Sequence, residues 1–381
     1  MTGSPTEPAR NAADVLLVGG GHAHVSVLAD WIARGVPQAA RAVLLTPEPA
    51  LRYSGMVPGW LAGQHGQGDG LVDLAALAAR AGAELVLDKC AALDPEARLV
   101  TTASGREIAF TIASFDTGGE AQGARLLGDD PRLLEVRPIG ALVERLAGLR
   151  ASGRGLSRVV IAGGGAGGVE LAFALRNLAG ADPRPEVTLA TGADGLLPGF
   201  AEGVRARTRR ALARQKIAVV EADAQFREGA LMAGGGSLEP ADLVIAATGS
   251  AAPGWARASG VATDAGGFLS VDAHHRSVSH PRIFAAGDVA ARTDRALAHA
   301  GVHAVFAGPV LAANLRHMLA GETPRAAYHP RWNSLYLMNT GDGSAILSYG
   351  PLSAQGSWVL ALKHWIDKRW IAKYAALAKS E

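Results

Sequence analysis

Short apolar runs alternate with helix-length stretches along most of the chain. Asp14 to Val18 predicts a buried strand, the following stretch to Arg34 a helix, and Ala42 to Thr46 a second strand, at the spacing of a βαβ unit. The same order recurs later: Arg158 to Ala162 as strand, Val169 to Leu178 as helix, Glu186 to Ala190 as strand. Further apolar runs at Glu84 to Asp88, Asp242 to Ala247 and Ile283 to Ala286 predict more strands. Strands that alternate with helices point to an α/β fold built on parallel sheets.

What joins strand to helix in the two repeats is glycine. The first junction reads Gly19-Gly20-Gly21-His22-Ala23-His24 and the second Gly163-Gly164-Gly165-Ala166-Gly167-Gly168. In such loops the first glycine makes the tight turn and the second lets backbone approach a pyrophosphate. The third lets the helix pack close to the strand, with the helix N-terminus facing the anion. The second loop fits in full at Gly163, Gly165 and Gly168. The first has Gly19 and Gly21, but His24 stands where the third glycine belongs, so either the helix packs less closely or the imidazole fills the gap. Alone, each loop is a weak signal. Two copies, each between a strand and a helix, predict two doubly wound dinucleotide-binding domains.

Composition narrows the chemistry. The chain has 381 residues and 48 glycines, well above the usual ~7%. The net charge of +2 gives no electrostatic case for a nucleic acid partner. One cysteine, Cys90, excludes an internal disulfide, a two-thiol redox centre and a cysteine-rich zinc site. Redox chemistry must therefore rest on a bound cofactor, and Cys90 itself reads as a small core residue. Met1 to Ala13 is polar and proline-bearing and predicts an unordered start without an export signal. No run reaches the roughly 18 uninterrupted apolar residues of a membrane span. The expectation is a cytoplasmic protein, at most peripheral on the inner face of the cell membrane.

Three more segments define a family. Phe115-Asp116-Thr117-Gly118-Gly119 and the strand leading into Thr248-Gly249 are related turns, and Ile283-Phe284-Ala285-Ala286-Gly287-Asp288 ends a strand in Gly-Asp. In this order the set resembles the FAD-dependent pyridine nucleotide oxidoreductases with two dinucleotide domains. Gly19 to Val25 and Tyr53-Ser54-Gly55-Met56-Val57-Pro58-Gly59 are similar to the flavoprotein module often fused ahead of selenide, water dikinase, itself similar to type II NADH dehydrogenases. The resemblance runs from about Asp14 to Trp370; no kinase domain follows within the sequence, so no selenium role is carried over. It implies an FAD domain split into residues 14–118 and 247–320, an NAD(P)H domain inserted at 119–246, and a small C-terminal region at 321–381.

The same resemblance assigns candidate residues. FAD would be held by Gly19, Gly21, His22, Ala23, Thr117, Gly118, Gly287 and Asp288, the last on the ribityl chain. Tyr53, Ser54 and Gly55 would lie over the flavin, with Met56 beside the ring. The nicotinamide dinucleotide would lie on Gly163, Gly165, Gly167 and Gly168, with Thr248 and Gly249 nearby. Glu170 matches a glutamate of type II NADH dehydrogenases near the flavin–nicotinamide contact, where it would orient the nicotinamide or influence proton delivery. Its bland reading is a carboxylate complementing the helix dipole, worth a few tenths of a kcal/mol.

The acid expected after the second strand of each unit, for a ribose hydroxyl, is missing. Thr46 and Thr191 stand there, with Glu48 and Asp194 two and three residues later as substitutes. Arg205, Arg207, Arg209, Arg210 and Arg214 read either as a reach toward a 2′-phosphate or as a solvated helix face. Both NADH and NADPH stay open. On the acceptor side, the stretch from His299 to Pro309 lacks the glutamine of type II NADH dehydrogenases. His299 and His303, four apart, would share a helix face. They read as a proton-delivering histidine beside the flavin or as structural residues, and no third residue completes a metal site. His274-His275 reads as an exposed turn.

The chain ends in a predicted helix, Trp358 to Lys379, with Trp358, Leu362, Ile366, Trp370, Tyr374 and Leu377 along one stripe and Lys363, Lys368, Arg369, Lys373 and Lys379 flanking it. An aromatic-plus-basic helix suits a membrane interface; packing on its own domain or in a homodimer is the alternative. The expected activity is that of an FAD-dependent NAD(P)H dehydrogenase delivering electrons to a quinone-like or other small acceptor. A flavin-binding regulatory protein with little turnover and a reductase of a small electron-transfer protein are the rivals.

Overall fold

A computed structural model describes residues 12–152 and 156–379. The expected unordered start over residues 1–13 falls mostly outside this range, but Ala13 is fully buried and opens the first strand, Ala13–Val18. That strand is the centre of a seven-stranded sheet. It pairs in parallel with Ala42–Thr46 on one side and Glu107–Phe115 on the other. Ala83–Leu87 extends the sheet beyond Ala42–Thr46. The strand Ile283–Ala285, far later in sequence, pairs in parallel with Glu107–Phe115. Strands buried on both faces need apolar residues throughout, and Leu16, Leu17, Leu44 and Leu45 are all essentially inaccessible.

A second sheet of five parallel strands lies between these sequence limits. Its order is Ala218–Val220, Glu186–Ala190, Arg158–Ala162, Leu243–Ala246, Leu133–Glu135. The strand that begins each glycine loop is central in its sheet, with the following strand beside it. This is the doubly wound arrangement, and the carboxyl ends of the strands line up where ligands bind such folds. The second unit is thus inserted between the strands of the first.

A three-stranded antiparallel sheet, Leu335–Asn339, Ala345–Tyr349 and Leu352–Gly356, follows the two units. The last helix, Ser357–Ala378, then returns to the first unit. Tyr374 is buried there, its hydroxyl 3.1 Å from Ser26 Oγ on the helix His22–Arg34, and Arg80 donates to the carbonyls of Leu377 and Lys379. Of the expected stripe, Tyr374 is buried and Trp370 and Leu377 pack on the first unit, but the inward side also carries charge and Trp358 is left outside. Val359, Leu360, Lys363, Asp367 and Tyr374 face inward, while Trp358 and Trp365 face out beside Lys368, Arg369 and Lys373. The reason is that the buried side meets a polar site, and two of its charges find partners there. Among the described residues no helix is long and apolar enough to cross a membrane.

Candidate active site

The strand ends of the second sheet, His22 and the Tyr53–Gly55 segment of the first unit, and the returning helix enclose a cleft of about 1250 Å³. Ordinary small-molecule sites span about 300–1,000 Å³, so the cleft has room for more than one bound group. The second glycine loop forms one wall. Gly163 has φ +135°, and a Cβ there would lie 2.1 Å from the carbonyl oxygen of Ala247. One at Gly168 would lie 2.0 Å from the Gly163 carbonyl, so these two glycines serve the tight turn and the close helix packing. At Gly165 and Gly167 a Cβ would meet nothing within 4 Å. Their side faces open space, as a loop that receives a ligand requires. The helix behind it, Ala166–Arg176, begins three residues before the expected start.

The first loop is built differently. His24, in place of the third glycine, is fully buried with Nδ1 2.6 Å from the Gly19 carbonyl and Nε2 2.8 Å from Ser114 Oγ. A carbonyl only accepts, so Nδ1 carries the proton and Nε2 accepts from the serine. Burial, against the Gly19 hydrogen bond, pulls this imidazole's pKa down to about 4, so it stays neutral. The imidazole fills the gap.

Gly21 also has a reason other than ligand approach. A Cβ there would sit 2.3 Å from the Asp116 carboxylate. Asp116 Oδ2 accepts from the amides of Ala23, at 2.7 Å, and His24, at 3.1 Å, and so caps the helix His22–Arg34 from another strand end. Gly287 crowds the same carboxylate, and Asp288 lies beyond it, accepting from Arg137 Nη2 at 2.7 Å.

Of the predicted residues, the cleft gathers His22, Tyr53, Ser54 and Gly55 from the first unit and Gly163, Gly165, Gly167, Gly168, Glu170, Thr248 and Gly249 from the second. His299 also lines it. Gly19, Gly21, Ala23, Thr117, Gly118, Gly287 and Asp288 lie behind this lining, around Asp116 and Arg137. Thr46 is buried with its hydroxyl donating to the Glu48 carbonyl, and neither residue lines the cleft.

The helix Gly301–Leu319 starts after His299, so His299 and His303 do not share a helical face. His299 packs against Phe268 with ring centroids 4.1 Å apart and the planes tilted by 32°, and His303 Nδ1 meets the Tyr328 hydroxyl at 3.0 Å. His275, expected in an exposed turn, is 4% exposed, with Nδ1 donating to the Ala285 carbonyl.

Where the units meet, the returning helix supplies what sequence reasoning missed. Lys363 Nζ lies 3.3 Å from Asp367 Oδ2 and 3.8 Å from Glu170 Oε1, and all three side chains are largely buried. Glu170 Oε1 also accepts from the Asn339 amide at 2.8 Å. Burial raises the Glu170 pKa, against Lys363 and the Asn339 amide. Burial also opposes the Lys363 charge, but the Glu170 and Asp367 carboxylates outweigh it and the net shift is upward. Tyr53 donates to Asp367 Oδ1 at 3.1 Å and stacks on Trp370, with ring centroids 5.0 Å apart. His22 packs against both rings, and burial holds its pKa down to about 4 despite Asp288.

Thr248 Oγ1, Trp370 Nε1 and Asp367 Oδ2 of this lining are buried with no hydrogen-bond partner, the last paired only with the Lys363 ammonium. Unsatisfied buried polar groups are costly. Each leaves room for a polar group of a bound ligand within the cleft. Among the described residues no cluster of histidine, cysteine or acidic side chains is arranged to hold a metal ion. Cys90 is partly buried, its thiol pushed up to about 12 by burial against a hydrogen bond to Ala92, and it lies away from the cleft.

The chain matches a family model over residues 13–305, described as pyridine nucleotide-disulphide oxidoreductase. No curated protein matches. Among solved structures, the sulfide:quinone oxidoreductase of Aquifex aeolicus is similar with a TM-score of 0.76 at 18% identity, over 96% of this chain and 92% of that one. The ferredoxin reductase for the CYP199A2 system of Rhodopseudomonas palustris gives 0.69 at 20% identity, over 87% and 81%. The water-forming NADH oxidase of Lactobacillus brevis gives 0.70 at 19% identity, over 89% and 75%. At such identities the three share a fold with this chain. The extent of the family match, over two glycine loops each set between parallel strands, makes the chain a member of the pyridine nucleotide-disulphide oxidoreductase family, an FAD-dependent NAD(P)H oxidoreductase whose one cysteine leaves it without the disulfide.

Proposed function

We propose that this chain is an NAD(P)H dehydrogenase that passes electrons through FAD to a quinone-like or other small acceptor. Within the family, the reading follows the resemblance to type II NADH dehydrogenases and to the flavoprotein module found with selenide, water dikinase. It rests on one observation: Glu170, pinned by Lys363, shares a cleft with the open edge of the second glycine loop and with the His22–Tyr53–Trp370 rings. In this reading residues 14–118 and 247–320 hold FAD, 119–246 hold the nucleotide, and 321–381 close the site.

FAD, when bound, supplies the two-electron carrier between nicotinamide and acceptor. The chain's own work is position, electrostatics and exclusion of water. Gly165 and Gly167 leave room for a pyrophosphate at the start of the helix Ala166–Arg176. Asp288 would hold the ribityl chain, with Arg137 balancing its charge. Trp370 and Tyr53 shut out water on the side of the returning helix. Glu170 holds a proton at its carboxyl more readily than an exposed glutamate, and Lys363 fixes where that carboxyl points.

The mouth of the cleft carries Phe306, Leu335 and Tyr349, all exposed. An apolar rim supports a flat, apolar acceptor. The outward Trp358 and Trp365, beside Lys368, Arg369 and Lys373, support contact with an anionic membrane surface, where such an acceptor would be found.

The test is a visible spectrum of the purified protein followed by anaerobic titration with NADH and NADPH. Bleaching of a flavin spectrum by either nucleotide, and its return on adding a quinone, is the expected result. Bound flavin that neither nucleotide reduces would favour a flavin-binding protein without turnover. Within this reading, Glu170→Gln should slow flavin reduction about 100-fold, the low end of what a general acid–base group contributes. FAD content should be unchanged. Equal stopped-flow reduction rates would remove Glu170 from the reaction.

A further inference from the structure

The nucleotide-binding unit lacks the acid that usually closes the second strand of such a fold, and its own chain supplies a replacement from the next strand. Thr191, at that position, is buried, and its hydroxyl donates to the Gly192 carbonyl, so it offers nothing to a ligand. The neighbouring strand Ala218–Val220 runs alongside in parallel, and the chain after it folds back over the end of Glu186–Ala190. Thr191 donates to the Val220 carbonyl at 2.9 Å and Gly192 to that of Ala222 at 3.2 Å. This brings Asp223 across. Its Oδ1 accepts from the Ala193 amide at 3.3 Å and would lie 3.0 Å from a Cβ at Gly192, which has φ +81°. Asp223 lines the cleft, on the same strand-end edge as the open Gly165.

We infer that Asp223 is the residue that reads the adenosine ribose of the nucleotide, and that it selects NADH over NADPH; the inference deepens the dehydrogenase reading and rests on it. A carboxylate accepts hydrogen bonds from a free 2′- and 3′-hydroxyl pair and repels a 2′-phosphate. Asp194, in the Gly192–Gly195 turn that Asp223 meets, also lines the cleft and adds a second negative charge.

The cations that would read a 2′-phosphate are elsewhere. Lys363, Arg137 and Arg331 line the cleft, but the first is engaged by Glu170 and Asp367, the second by Asp288, and the third lies over the Phe306 ring. The arginine-rich helix Glu202–Arg214 does not line it. Arg205 pairs with Glu202, Arg209 with Glu221 and Arg214 with Asp342, while Arg207 donates to Ser353. Four of the helix's five arginines are thus held by partners on this helix or on neighbouring segments, and Arg210 is exposed outside the cleft.

The experiment isolates the adenosine end by calorimetry on the full-length, flavin-loaded protein, with ADP-ribose and 2′-phospho-ADP-ribose as ligands. ADP-ribose should bind at least tenfold more tightly. Asp223→Ala should weaken ADP-ribose binding about tenfold, as expected for loss of a charged hydrogen-bond acceptor. The same variant should leave the 2′-phosphorylated ligand unchanged or better bound. Asp223→Asn, which keeps the backbone contact to Ala193, guards against a collapsed loop: it should narrow the preference without abolishing ADP-ribose binding. Equal affinity of the wild type for both ligands, or an equal loss for both in Asp223→Ala, overturns the assignment of Asp223 alone. Failure of either ligand to bind, together with a flavin that neither NADH nor NADPH bleaches, brings down the dehydrogenase reading and this inference with it.

Discussion

Lys363→Met should lower the free energy of unfolding by about 3–5 kcal/mol, the cost of stripping the partner from a buried charge. Lys363 is 7% exposed and Asp367 4% exposed, and Glu170 is held in place by the Asn339 amide as well as the ammonium. Removing the ammonium leaves two carboxylates facing one another with no cation between them. The fold can relieve this only by protonating one of them, so the loss should be larger at pH 8 than at pH 5. Urea midpoints at the two pH values, at constant denaturant slope, measure it. A triple variant, Lys363→Met with Glu170→Gln and Asp367→Asn, should recover much of the stability, because neutral groups of the same size replace the whole buried cluster. A single variant that melts like the wild type at both pH values would mean that the three side chains are solvated in solution.

Asp116→Asn should change how stability depends on pH. Burial raises the Asp116 pKa from 3.8 to about 7, against the two amides it caps and with Asp288 adding to the shift. The sign follows from proton counting. Between the unfolded and folded pKa values the folded state holds the proton and the unfolded state does not, so stability falls as pH rises through that window. Above about 7 both states are ionised and the loss is complete, at about 4 kcal/mol for a shift of this size. Asparagine keeps an oxygen for the amides of Ala23 and His24 but never ionises. The variant should therefore gain on the wild type as pH rises from 4 to 7, with a constant difference beyond. Thermal or urea unfolding of the flavin-free protein across this range tests it. A difference that does not vary with pH would show that Asp116 is charged throughout.

Both predictions concern residues that no local pattern picked out. Lys363 read as one of several basic residues flanking an aromatic stripe, and Asp116 as part of a Thr-Gly turn. Each takes its character from a partner far away in sequence: Asp116 caps amides 92 and 93 residues before it. His24 lies between these cases. Its place in a glycine position marked it as anomalous, but only the packing of Gly19 and Ser114 around it decided that the ring fills the gap. The paired histidines failed because four-residue spacing means a shared face only inside a helix, and the helix begins after His299.

The sequence by itself determined the α/β class, the two glycine loops between strand and helix and the lack of a second cysteine for an internal disulfide. These follow from apolar periodicity, glycine placement and cysteine count, which are local properties that a strand or turn carries wherever it sits. The tertiary structure decided which charges are buried, which glycines face open space and which acid is brought to the end of the second unit's Glu186–Ala190 strand. Those depend on side chains from separate segments arriving at one point, as Lys363 does beside Glu170 and Asp223 beside Gly192. Burial then sets their charge and partnership, and no stretch of local sequence encodes it.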